Sequence, residues 1–401
     1  MKEYLPHLDY IKEHKEKMTS LLQSWANINS GTYNLVGLSA MLLAIEKEFT
    51  PLGGSIQRLT LQPQKKIGHD GEVINLPLGN VLSVVKRPEA PFRIFLGGHM
   101  DTVYSSDSPF QKAEISDKTM RGPGVADMKG GLLVLLFALK AFERTPLASK
   151  IGWEVLINSD EEIGSVGSVP LLEQSAKRCR LGLIFEPSLP DGAFVSHRKG
   201  SSNMTIIARG KSAHVGRDFH SGRNAIHALG SAIHALATLN DKKTGTIVNI
   251  GHISGGGPSN IVADFCLLHL NVRATTSEEM EKVKKEIDRI TKEIQNSQQV
   301  KLELIDEATR PPKPFNALTE ALFNQIKECA ETLEFKTSWR GTGGVCDGNI
   351  LSAAGLPTID TLGVIGGNIH TIDEYVELDS LTERACLTAL FLMKVASEQK
   401  G

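Results

Sequence analysis

The side chains of this 401-residue chain that can hold a metal ion or move a proton gather in five short segments. GGHMDTV at 97–103 offers His99 and Asp101, two positions apart. In extended chain such side chains point the same way, and a carboxylate beside an imidazole commonly fixes the ring nitrogen that does not face a metal. GPGVADMKGG at 122–131 sets Asp127 in a glycine-rich loop ahead of a helix. There it is either a helix cap or a carboxylate whose two oxygens bridge two cations. SDEEIGS at 159–165 follows an apolar strand with three adjacent acids. Neighbouring side chains diverge, so Glu161 and Glu162 can divide the work between a general base and a metal ligand, unless the segment is only a solvated acidic turn. FEPS at 185–188 closes another apolar strand with Glu186, a charge that is costly to bury unless it meets a metal or an arginine. IHT at 369–371 adds His370 after a glycine-rich approach; a lone loop histidine has no weight of its own and gains it from the other segments. Imidazole and carboxylate together suit zinc-like cations and hydrolysis by activated water.

Residues so far apart in sequence meet only if the fold gathers them. Apolar runs at 81–85, 93–96, 153–158, 181–185 and 358–362 read as strands, with helices at 11–27, 36–49, 130–144, 318–333 and 381–398. This alternation predicts an α/β fold with a mixed, mostly parallel sheet covered on both faces. In such sheets ligands bind beyond the carboxyl ends of the strands, which is where the five segments lie. Between 200 and 310 the rhythm changes: strand 203–208, helix 224–239, strands 246–253 and 263–273, helix 277–295, strand 300–305. That order, βαββαβ, is the ferredoxin-like α+β unit. TRPPKP at 309–314 reads as a linker back to the first unit. The expected domains are therefore 1–199 with 311–401, carrying the metal site, and an inserted unit at 200–310.

Hydrophobic residues at 41% and charged residues at 22% fit a soluble globular protein, and 401 residues are too many for one ordinary core. A formal net charge of -2 gives no footing for a nucleic-acid or acidic-membrane partner. Five cysteines without a C-x-x-C pair argue against a disulfide framework and for a reducing compartment. The polar N-terminus and the short apolar run at 132–139, against the roughly 20 residues of a membrane span, point to the cytoplasm.

GGHMDTV, GPGVADMKGG, SDEEIGS, FEPS and IHT, in this order and spacing, resemble the M20 family of zinc peptidases and deacylases along essentially the whole chain. The resemblance implies two zinc ions, with cobalt or manganese able to substitute. His99 and Glu186 would hold one, His370 and Glu162 the other, and Asp127 both. It implies Glu161 as general base, Asp101 as the support of His99, and a cis peptide after Asp127. In GKSAHVG at 210–216 it implies that His214 stabilises the oxyanion in a neighbouring subunit's site, hence a homodimer formed through the inserted domain. Asn260, in GPSN at 257–260, and Arg273, in LNVR at 270–273, resemble the family's carboxylate-binding group. The strand pattern agrees in part: Cys266, Leu268, Leu270 and Val272 share one face and leave Arg273 on the other, where its fork suits a carboxylate or an ordinary surface salt bridge. Gly344 is implied as a substrate contact, although Cys346 in GGVCDG at 343–348 departs from the family's GGTD or GGTSD.

The expected activity is hydrolysis of an amide bond next to a free carboxylate in a small peptide or N-acyl amino acid, glutamate carboxypeptidase-like; Glu at 186 resembles the family's deacylases and carboxypeptidases rather than its dipeptidases, which tilts the reading toward a substrate of the form acyl-NH-CHR-COO⁻. An N-acyl amino acid deacylase of the acetylornithine deacetylase kind uses the same bond chemistry. A catalytically silent amino-acid-binding relative is the reading from another class, and the presence of every ligand and the base stands against it.

Overall fold

The computed structural model describes residues 1–399. Its central sheet has six strands in the spatial order Ser55–Leu59, Val81–Lys86, Gly152–Asn158, Arg93–His99, Leu181–Ile184, Thr358–Ile359. The last four run parallel; the first two are antiparallel to their neighbours. Strict alternation decides which layer each side chain joins. Ile94, Leu96, Val155, Ile157, Leu181 and Leu183 pack into the larger core. Phe95, Leu156 and Ile184 point to the opposite face, against helices Val169–Arg178 and Asp347–Ala353.

The larger core is built around helix Gly131–Phe142, where every residue except Lys140 is buried. A helix apolar on all sides has no face to give to water and must sit inside. Leu378–Ser397 crosses it, and Lys15–Ala26 and Leu35–Phe49 complete the layer. Truncating a wholly buried residue such as Leu136 to alanine should cost about 2–5 kcal/mol.

Residues 200–310 form a second sheet, ordered Ile247–Gly255, Phe265–Ala274, Gly200–Arg209, Lys301–Arg310, antiparallel throughout. Helices Ala225–Ala237 and Ser277–Gln298 cover one face and enclose a separate core that includes Met204, Ile206, Leu268 and Leu270. Asn224 and Thr276 cap these helices through their side chains. The last strand outruns the expected 300–305 and ends at Arg310, so the proline-rich turn begins at 311, two residues later than a linker at 309 would require. The antiparallel pair Gln64–Ile67 and Val73–Leu76, which lacks a clear sequence signal, reaches from the first body onto the other face of this sheet through Ile67, Ile207 and Leu267. No helix among the described residues is long and apolar enough to cross a membrane. All five cysteines are buried and unpaired.

Candidate active site

Parallel pairing levels the strand ends. Gly97 lies opposite Ile184, and His99 opposite Asn158. The residues that follow each strand therefore emerge on one rim: Glu161 and Glu162 after Asn158, Glu186 after Ile184. His99 Nε2 lies 3.1 Å from Asp127 Oδ1 and 3.8 Å from Glu186 Oε2. His370 Nε2 lies 3.3 Å from Asp127 Oδ2 and 3.3 Å from Glu162 Oε2. Two imidazoles thus address opposite oxygens of one carboxylate. Ligand atoms of His99, Glu161 and Glu186, and those of His99, Asp127 and Glu162, fall within 4.8 Å of one another.

Buried main chain fixes these groups. His99 Nδ1 donates to the Asp101 carbonyl at 2.9 Å, nearer than the Asp101 carboxylate at 3.3 Å, which turns Nε2 toward Asp127 and Glu186. The Asp101 carboxylate accepts from Thr32 Oγ1 at 2.8 Å and from the amides of Glu161 and Glu162 at 3.2 Å each. One side chain thereby ties the histidine strand to the acidic turn. The Asp127 loop is held by Glu374, which accepts from the amides of Gly124, Ala126 and Asp127 at 2.9–3.0 Å and from Tyr104 Oη at 2.8 Å. The Asp127–Met128 peptide is cis. Gly131 must be glycine, because a Cβ there would stand 1.9 Å from the Phe185 carbonyl oxygen, beside Glu186. His370 sits in the left-handed region at φ 63, in the loop between Gly366–Gly367 and Tyr375–Glu377. The second of these strands pairs with Thr119–Arg121, which leads into the Asp127 loop.

A cleft of about 500 Å³ opens from this rim to the uncovered face of the second sheet. Arg310, Ser201 and Arg273 stand side by side across three strands and line it. Arg273 Nε donates to Asn271 Oδ1 at 2.8 Å. Gly344 also lines the cleft, and its carbonyl accepts from Arg198 Nη1 at 3.3 Å. His214 and Asn260 do not line it. They are neighbours, with the Val215 amide donating to the Asn260 carbonyl at 3.0 Å, and His214 is exposed at the start of a short helix. Within one chain the structure therefore gathers nine of the expected residues at the cleft and its supports, and leaves these two outside.

The sequence matches the profile of Peptidase family M20/M25/M40 over residues 95–394. The chain belongs to this family. It is 28% identical to carboxypeptidase G2 of Pseudomonas sp. (strain RS-16) over 392 residues, covering 94% of this chain and 88% of that protein. It is 30% identical to succinyl-diaminopimelate desuccinylase of Marinobacter nauticus over 356 residues, covering 83% and 92%. The crystal structure of aminopeptidase PepT from Bacillus cereus shares the fold at a TM-score of 0.72 and 23% identity, with 95% of this chain and 99% of that one covered. The M20 chain is accordingly a hydrolase, and its motifs fall on the rim just described.

The charge balance of the M20 site bears on what it can hold. Burial pushes the carboxyl of Glu162 up to about 7 and raises those of Glu161 and Glu186. Burial also opposes ionisation of Asp127, but hydrogen bonds from His370 and His99 outweigh it and hold that carboxyl below its ordinary value. The same contacts, with Asp127 first, lift His370 to about 10. Carboxylates and imidazoles are thus driven to share protons, as a buried acidic cluster short of positive charge must. Glu161 Oε1 has no hydrogen-bond donor: Arg310 Nη1 is 2.8 Å away, close enough to pair charge but out of line. Divalent cations among these donors would supply the missing charge, so the residues fit a metal centre.

Several further groups at the site were not among the expected site residues. Arg310 also donates through Nη2 to the Glu161 carbonyl and to Ser165 Oγ, both at 2.8 Å. Asp347 accepts from Asn158 Nδ2 at 2.7 Å and from Ser165 Oγ, locking the turn from beneath. Arg198 lines the cleft while Nε donates to buried Asp360 at 2.7 Å, which Lys313 also contacts at 3.0 Å. Cys346 is buried, and its sulfur accepts from the Gly348 amide as the cap of helix Asp347–Ala353; burial pushes its thiol well up, which removes it as a nucleophile. The one visible clue to Glu374 was its acidic pair with Asp373 just past His370.

Proposed function

We propose that this M20 hydrolase cleaves an amide bond adjacent to a free carboxylate, using two metal ions. The observation that carries the proposal is the pair of imidazoles on opposite oxygens of Asp127, at 3.1 and 3.3 Å. In this reading His99 and Glu186 would hold one ion and His370 and Glu162 the other, with Asp127 shared between them. Zinc suits the mixed donors, with cobalt or manganese as substitutes. The ions would polarise the scissile carbonyl and make water acidic enough to attack at neutral pH.

The chain's own residues do the rest. Glu161 lies within ligand distance of His99 and Glu186, but its pairing with Arg310 on the far side suits a base better than a ligand. Its raised proton affinity favours taking a proton from water on a carboxylate oxygen and returning it to the leaving amine. Arg273, steadied by Asn271, faces the cleft as the partner of the substrate's free carboxylate, and Gly344 flanks that position. His214 and Asn260, exposed outside their own cleft, would serve the cleft of a second copy, with His214 donating to the oxyanion. That arrangement requires a homodimer.

The likeness to carboxypeptidase G2 across 94% of the chain favours a carboxypeptidase; the 30% identity to a succinyl-diaminopimelate desuccinylase supports a deacylase as the second reading. Hydrolysis of N-acyl amino acids, dipeptides and their C-terminal amides by zinc-loaded enzyme tests the proposal. Turnover restricted to free acids is expected; equal turnover of the amides would sink the carboxylate requirement.

A further inference from the structure

A second chamber of about 600 Å³ adjoins the catalytic cleft and shares Asn203 and Ala308 with it. It lies between the uncovered face of the second sheet and the hairpin Gln64–Ile67/Val73–Leu76. Strand register shows how the two spaces connect. The first row across the sheet is Arg310, Ser201, Arg273; the second is Ala308, Asn203, Asn271; the third holds Thr205 and His269. Rows on one face repeat every two residues, about 7 Å. A side chain leaving the Arg273 row along the sheet therefore reaches the chamber about one row away.

The path is built of paired polar groups. Asn271 receives the Arg273 Nε bond at 2.8 Å and donates to Asn203 Oδ1 at 2.7 Å and to Ser201 Oγ at 3.0 Å. The chamber beyond has an apolar wall including Ile74, Leu76 and Ile163, and a charged end. Glu307 at that end is already engaged, by Thr205 Oγ1 and by His269 Nδ1 at 3.6 Å. Among the described residues Lys66 has no carboxylate partner; its ammonium stands 6.0 Å from the centroid of the Tyr33 ring. An apolar stem ending in a free cation fits one class of ligand, an aliphatic chain with an anionic tip.

We infer that this chamber is the pocket for the side chain of the leaving amino acid, and that it selects a long aliphatic side chain ending in a carboxylate. The inference rests on the proposal that Arg273 holds that residue's α-carboxylate. Leu76 and Ile163 face the stem, Lys66 the tip, and Ala308 with Asn203 forms the neck.

The test is a kcat/KM series on N-acetyl derivatives of glycine, aspartate, glutamate, 2-aminoadipate, norleucine and lysine, with zinc-loaded full-length enzyme. The parent should favour 2-aminoadipate over glycine and over lysine, each at least tenfold, chiefly through KM. Lys66→Glu should invert the order of 2-aminoadipate and lysine. Leu76→Trp, which fills the chamber from the hairpin, should cut the 2-aminoadipate to glycine ratio at least tenfold. A flat parent series, or ratios that neither variant moves, would overturn the chamber's role while leaving the hydrolase reading intact. Absence of hydrolysis on every substrate would overturn that reading, and the chamber's role with it.

Discussion

The rim carrying His99, Asp127 and Glu162 and the sheet face carrying Arg273, Asn271 and Asn203 look at each other across one cleft, yet their side chains are held differently. On the rim, His99, Asp101, Asp127, Glu161 and Glu186 are buried, and their positions are set by main-chain amides and carbonyls. On the facing sheet, Asn203 is exposed, Asn271 and Arg273 are half-buried, and they hold one another through side-chain hydrogen bonds. A net contribution of about 1 kcal/mol is typical of each such bond. Moving a rim residue means moving a strand end; moving a residue on the facing sheet means turning a rotamer. In the proposed function, bond-breaking chemistry is thus fixed by the fold, and substrate choice is open to adjustment.

That contrast can be broken at graded cost. Asp127→Ala should abolish turnover and drop bound zinc from about two ions per chain to near none, measured by elemental analysis; retention of both ions would refute the shared carboxylate. Glu161→Ala should keep its metal and lose about 10²–10⁴-fold in kcat. Unchanged hydrolysis of N-acyl amino acids would remove it as the base. Glu374→Gln leaves one atom of the Asp127 loop's acceptor unable to bond an amide; zinc affinity, read by competition with a chelator, should weaken about 10–100-fold. Parent-like affinity would show that the loop needs no such anchor. Arg273→Ala belongs to the adjustable wall: KM for free acids should rise about 10–100-fold, with kcat and metal content little changed. An equal rise for C-terminal amides would count against carboxylate binding.

The same contrast explains what could be read from the residue order. The gathered residues His99, Asp127, Glu162, Glu186 and His370, proposed as ligands, were legible because each sits in a short run rich in glycine, acid or adjoining apolar strand, a local pattern. The αβ alternation and the βαββαβ order of 200–310 were legible from periodicity, and the helix at 277–298 shows why, with Met280, Val283, Ile287, Ile290 and Ile294 on one side. Arg310 was not legible. It looked like the start of a proline linker, and only the bulged pairing of Lys301–Arg310 with Gly200–Arg209 carries it to Glu161. Glu374 was hidden likewise, since its partners are amides 247–250 positions away, which no spacing reveals. The hairpin at 64–76 escaped because its strands are short and mostly exposed, and its one buried residue, Ile67, acquires meaning only against Ile207 and Leu267.

Helix Gly131–Phe142 begins four residues after Asp127 and is enclosed by the core along nearly its whole length. Amide protons in such an element exchange with solvent only when the entire domain opens. The carboxylate proposed to bridge two ions is therefore mounted on the slowest-opening part of the molecule. On heating, release of the cations and collapse of the fold should arrive as a single event rather than as a leak followed by a melt.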